Sequence, residues 1–80
     1  MHEVSLCESI LKILEKKAQE DGFSQVVKVQ LTVGEYSGAC QESMAFCFPM
    51  VAKGTLAEGA ELEFQSVEGT DLRVSKLEVG

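Results

Sequence analysis

What limits the folds open to this chain is a switch in the spacing of its apolar residues between Ala18 and Val26. In the first segment Val4, Cys7, Ile10, Leu11, Leu14 and Ala18 recur at i, i+3, i+4 and i+7, the spacing of one helical stripe turned toward a core. From Val26 to Val33 the period becomes two: Val27, Val29, Leu31 and Val33 point one way, and Lys28, Gln30 and Thr32 the other. A helix followed by a half-buried strand must be packed one on the other, because neither hides its apolar side alone. The junction carries its own stop signal. Asp21-Gly22 ends the helix, since Gly22 can take the left-handed conformation of a C-terminal cap, and Phe23 is placed to pack back on the last turn.

The remaining elements follow by the same reading. Gly34 and Gly38 bracket a loop, after which Gln41 to about Lys53 reads as a second helix with Met44, Cys47, Phe48 and Val51 inward. Pro49 lies inside it, removing the hydrogen bond to the Ala45 carbonyl at a cost of about 3 kcal/mol, so a kink between Ala45 and Pro49 or an early end is expected. Glu61 to Val67 is a strand with Leu62 and Phe64 inward, and Leu72 to Val79 is another. Glu68-Gly69-Thr70-Asp71 is turn chemistry, so these two strands are expected to form a hairpin. Leu72 and Val74 are out of phase with Leu77 and Val79, which a bulge around Ser75 and Lys76 would explain. The expected fold is α+β in the order α-β-α-β-β, two helices on one face of a three-stranded sheet whose strand order stays open.

Eighty residues make a single domain with a small core. Seven Lys and Arg stand against 13 Asp and Glu, a net charge of −6. Nucleic acid and anionic membrane are poor partners for such a surface, because both need clustered cations to displace counterions. No apolar run approaches the ~20 residues of a membrane span, and the first residues lack the basic and apolar regions of a signal peptide, so a cytoplasmic protein is expected. Cys7, Cys40 and Cys47 are odd in number and contain no C-x-x-C pair, which argues against a disulfide framework. Cys7 and Cys47 read as small buried apolar residues. No nucleophile and base pair emerges around the single histidine, so an enzyme is not expected.

That histidine is the chemically informative residue. The α-amine of Met1 with the backbone amide and imidazole of His2 can close two fused chelate rings, three coplanar nitrogens suited to Ni²⁺ or Cu²⁺. The fourth position falls to a carboxylate such as Glu3 or to a group brought from elsewhere in the fold, and the charge of Glu3 is also favoured at a helix N-terminus. The competing reading of a lone terminal His is a solvated side chain. Glu42 reads as a helix-start residue or as a carboxylate near the metal, the first being preferred, and Tyr36 as a half-buried loop anchor or a partner contact.

The opening MHEVSLCESIL, the strand ending VGEYSG, the helix with FCF, the segment GTLAEGAELEF and the final LRVSKLEV together resemble the HypA/HybF family of nickel-insertion chaperones, over nearly the whole chain. The resemblance implies a nickel-binding domain that delivers Ni²⁺ to the large subunit of [NiFe]-hydrogenase, in some organisms to urease, with a HypB-like GTPase as partner. It implies that Met1, His2 and Glu3 are the nickel site. Family members carry a zinc domain with two C-x-x-C pairs between the second and third strands. Here only residues 68–71 join Val67 to Leu72, so residues 1–80 form one HypA-like domain and no zinc is expected, whether by engineered deletion or in a natural zinc-free relative. Cys40 stands where the family usually has an acidic residue able to approach nickel; it is either a softer ligand or a helix-start residue that never reaches the metal. Two other functions remain open: a metal-independent interaction module, which could dimerise through a strand edge, and a thiol switch at Cys40.

Overall fold

The apolar stripe of the first segment forms α1 (His2–Asp21), with Cys7, Ile10 and Leu14 buried and Val4, Leu6 and Leu11 half-buried against the core. The computed structural model describes residues 2–80, and of His2 the backbone alone. Gly22 closes α1 at a φ of 77°, its N–H donating to the Ala18 carbonyl at 2.9 Å, and Phe23 packs on the core. Four further elements follow: β1 (Val26–Gly34), α2 (Gln41–Ala52), β2 (Glu61–Val67) and β3 (Leu72–Val79). The class is α+β in the expected order, and among the described residues no helix is long and apolar enough to cross a membrane.

The sheet order is β2-β1-β3, with β1 parallel to β2 and antiparallel to β3. The expected β2–β3 hairpin therefore does not form: β1 lies between its two strands. The reason is burial. Val26, Val29, Leu31, Thr32 and Val33 are all at most 3% exposed, so β1 takes the centre, where both of its edges are hydrogen-bonded. Residues 68–71 are long enough to reach across two strand spacings of about 4.8 Å each, and they cross the end of β1.

That crossing is a close one. Backbone N–H groups of Gly34, Glu35 and Tyr36 donate to the carbonyls of Asp71, Val67 and Gly69 at 2.6, 2.9 and 2.8 Å. A Cβ on Gly34 would overlap the Gly69 carbonyl and stand 2.7 Å from the Asp71 nitrogen. Gly34 is thus required by contact, with its φ outside the left-handed region.

Two register shifts correct the alternation expected along the strands. Gln30 pairs with Lys76 and Leu31 with Val74, which leaves Ser75 as the extra residue of the anticipated bulge; its hydroxyl donates to the Gln30 carbonyl at 3.1 Å. A second shift leaves Val27 unpaired between Val26↔Val79 and Lys28↔Glu78. Val27 consequently turns out, 45% exposed, and Val26 turns in at 1%, the reverse of a strict period of two.

Helix α2 runs through Pro49 to Ala52, so the early end is not taken. Ala45 and Pro49 both lie on the solvent side, where water can satisfy the freed carbonyl. Met44, Cys47, Phe48 and Ala52 fill the core, while Phe46 and Met50 are exposed. The Cys7 thiol donates to the Met44 carbonyl at 3.6 Å, and Leu11 and Val51 line one surface groove, so α1 and α2 run side by side in the same direction. The opposite sheet face is polar, with Lys28 of β1 paired to Glu63 at 3.4 Å and Glu78 at 3.8 Å.

Gly34→Ala is expected to lower stability by about 1–3 kcal/mol, the usual penalty of overfilling a packed site, because backbone on both sides must move. Urea denaturation compared with an exposed Ala45→Ser control measures it.

Candidate metal centre

The direction of the helices decides where the candidate ligands meet. Because α1 and α2 are parallel, their N-termini share one end of the molecule with the ends of β1 and β2 and the crossing turn 68–71. The Gln41 side-chain amide donates to the Ser66 hydroxyl at 2.9 Å, tying the start of α2 to the end of β2. Glu3 lies in the first turn of α1 and is half-buried. Cys40 is the N-cap residue of α2, extended at φ −100° and ψ 111°, and exposed.

Cys40 makes no side-chain capping bond as a thiol, yet its surroundings favour the thiolate. Its pKa lies below the ordinary value, chiefly because the Ser43 hydroxyl and then the Ser43 N–H can donate to the ionised sulfur. Desolvation opposes this, the Glu42 N–H assists, and the charge of Glu3 also opposes it. Glu3 is therefore near enough to Cys40 to be felt electrostatically. Ser43 was not anticipated as part of this site, although Cys40-x-x-Ser43 has the spacing of an N-cap and its N3 partner, the signal that finds it.

One turn below Glu3, Cys7 is fully buried, and burial first, then the charges of Cys47 and Glu3, push its thiol from 9.0 up to about 11. Cys7 and Cys47 are buried and all three cysteines are free. Glu42 occupies the first turn of α2, exposed, as expected of a helix-start carboxylate. Tyr36 is not the half-buried anchor that was one of its two expected roles: it is 75% exposed, with its backbone N–H donating to the Gly69 carbonyl.

The fold thus brings Glu3 of α1 and Cys40 of α2 to one end. Among the described residues no group of three or more His, Cys, Asp and Glu side chains is placed to hold a metal ion. The Met1 amine and the His2 imidazole, the other expected ligands, lie outside the described residues.

A family model for hydrogenase/urease nickel incorporation, metallochaperone, hypA, matches residues 1–79. The chain belongs to the HypA family. Relatives named hydrogenase maturation factor HypA include that of Beijerinckia indica, 48% identical over 69 residues and 86% of this chain, and that of Chlorobaculum tepidum, 44% identical over 69 residues and also 86%. The chain spans 61% of each of these two HypA proteins. The solution structure of the Ni metallochaperone HypA from Helicobacter pylori superposes with a TM-score of 0.84 over 96% of both chains at 14% identity, which supports the HypA fold independently of sequence.

Iodoacetamide at neutral pH is expected to modify Cys40 faster than free cysteine and to leave Cys7 and Cys47 untouched until unfolding; Ser43→Ala slows the Cys40 reaction, as mass spectrometry of the labelled peptides reads. The raised pKa of Cys7 fixes a second outcome. Its stabilising effect is complete below pH 9 and is lost as pH rises toward 11, because the unfolded chain releases the thiol proton first. Urea midpoints measured from pH 8 to 11 should fall, and less steeply in Cys7→Ala.

Proposed function

We propose that this chain is the nickel-binding domain of a HypA metallochaperone, carrying Ni²⁺ as cargo at its N-terminus for delivery to [NiFe]-hydrogenase during maturation. The observation that carries the proposal is that α1 begins at His2. The first four N–H groups of a helix have no partner within it, so the His2 amide can be given to a metal without breaking the helix. The Met1 amine and the His2 imidazole complete three nitrogens in a plane, a donor set that suits Ni²⁺. Glu3 stands beside them in the first turn, and Cys40, thiolate-prone and within electrostatic reach of Glu3, is the candidate for the remaining position.

In this reading the protein does no bond-making chemistry of its own. It binds the ion and presents it to the hydrogenase large subunit, with a HypB-like GTPase as the partner in loading, in the cytoplasm. Residues 68–71 replace the zinc lobe, so nickel binding requires no zinc. The net charge of −6 favours approach of a cation from solution.

Calorimetry and absorption titrations with Ni²⁺ on protein bearing a free Met1 amine are expected to give one equivalent bound and a square-planar band. His2→Ala abolishes both. Affinity falls as pH drops through the imidazole range near ~6.5, because amine, amide and imidazole must all lose protons. Cys40→Ser removes the near-ultraviolet sulfur-to-nickel absorption if the thiolate is bound. Equal binding in wild type and His2→Ala, or none in either, overturns the proposal.

A further inference from the structure

Between Glu42 and Lys53 no residue is charged, and Ser43 alone is polar. This stretch is most of α2, whose Met44, Cys47, Phe48 and Ala52 are buried. A surface helix with one buried side ordinarily carries charge on the other, as α1 does with Glu8, Lys12, Glu15 and Lys16 exposed. The outer side of α2 instead presents Ala45, Phe46, Pro49 and Met50, with Phe46 75% exposed and Met50 61%. A helix that is apolar all round is normally covered all round, and exposed Phe and Met on successive turns mark a contact surface.

The neighbours of α2 shape that surface. Its Cys47 and Val51 flank faces α1, where the Cys7 thiol meets the Met44 carbonyl and Leu11 shares a groove with Val51. Its Gln41 flank is tied to β2 through Ser66. With about 100° between successive helical residues, Phe46 and Met50 fall on the α1 half of the outer side, and Ala45 and Pro49 on the β2 half. Phe46 and Met50 therefore form one bank of the groove between the helices. Leu11 and Val51 are its floor, and Glu8, Lys12 and Glu15 are the opposite bank.

We infer that this groove takes an amphipathic helix of another protein, apolar along the stripe that meets Phe46, Met50, Leu11 and Val51, and bearing Arg or Lys on its flanks. Two observations select a basic helix. The α1 bank holds two carboxylates to one ammonium, on a chain of net charge −6. On the α2 bank Pro49 has no N–H to give, so the Ala45 carbonyl has no helical partner and stands on the exposed side as an acceptor for a cationic donor. A second copy of this chain brings the same acidic bank and the same net charge, and an anionic bilayer is repelled likewise. A helix seated here lies alongside the element that begins after Cys40, yet its docking needs no metal.

The probe is a synthetic amphipathic helix of about 18 residues, with Leu along one stripe and Arg on both flanks, compared with the same peptide bearing Glu for Arg. Each is titrated into metal-free, isotope-labelled protein and followed by amide NMR. The Arg peptide is expected to bind about tenfold or more tighter than the Glu peptide, with shift changes confined to α2 and residues 8–15. Phe46→Ser and Met50→Ser each weaken it by about tenfold, without lowering the urea midpoint, because both side chains are exposed. Pro49→Ala restores the hydrogen bond to the Ala45 carbonyl. It raises the urea midpoint and weakens peptide binding by about fivefold, opposite directions that a purely structural residue does not give. No binding of the Arg peptide, equal binding of both peptides, shift changes outside this groove, or variants that bind as wild type does overturn the inference. So does self-association, or binding to phosphatidylglycerol vesicles, that Phe46→Ser abolishes.

Discussion

The central position of β1 decides where everything else can lie. With β2 and β3 hydrogen-bonded to its two edges, any link between those strands must cross one of its ends, and residues 68–71 do so over Gly34. The crossing places backbone where a side chain would be, and the only residue that admits it is the one without a Cβ. The same arrangement aligns the helices. Both α1 and α2 lead into strands that run parallel to each other, β1 and β2, and both cover the same face, so their N-termini come to one end. The site is thus a consequence of strand order before it is a matter of ligand chemistry.

Much of this was legible in the sequence because it is local. The two periods name α1 and β1, Gly22 is a conformational stop, and the slip between Leu72/Val74 and Leu77/Val79 reveals the bulge at Ser75 because the apolar residues on its two sides are unmistakably out of phase. The slip at Val27 hides, since Val26 and Val27 are the same residue and either could point inward. The hairpin expectation failed for a non-local reason: four turn residues fit a tight reversal and a crossing over one strand equally well, and only the burial demand of β1 chooses between them. The continuation of α2 through Pro49 is likewise set by context, because the exposed side of a helix tolerates a lost hydrogen bond that its buried side does not. Of the candidate ligands, Met1, His2 and Glu3 are adjacent in sequence and can be read directly, whereas the electrostatic reach of Glu3 to Cys40, and the part of Ser43 beside it, needs two elements brought together by the sheet.

The two helix N-termini give this end of the molecule a definite electrostatic character. Each presents unpaired N–H groups and the positive end of its macrodipole, which favours anions over cations. For the ligands that is helpful: the Cys40 thiolate is stabilised by donors at the start of α2, and a Glu3 carboxylate sits well at the start of α1. For the ion it is the opposite. A divalent cation held there as proposed would gain less beside two positive dipole ends than the same donors would give it elsewhere, so the fold would keep the donors ready while weakening the hold on the ion.

For a carrier, that balance is the useful one. A closed cage of four fixed side chains would retain its ion by making dissociation wait on several ligands at once, whereas the chelate proposed above at Met1 and His2 would open one donor at a time. In the proposed site the first to leave would be Cys40, the exposed group, whose place an acceptor's own ligand could take before the nitrogen plane is disturbed. Release by stepwise ligand exchange then needs no conformational change in the sheet, and the Gly34 crossing that locks β1, β2 and β3 together is compatible with it. The crossing over Gly34 and the common end of the two helix N-termini are two results of one topology: the strand that is too apolar for an edge forces both.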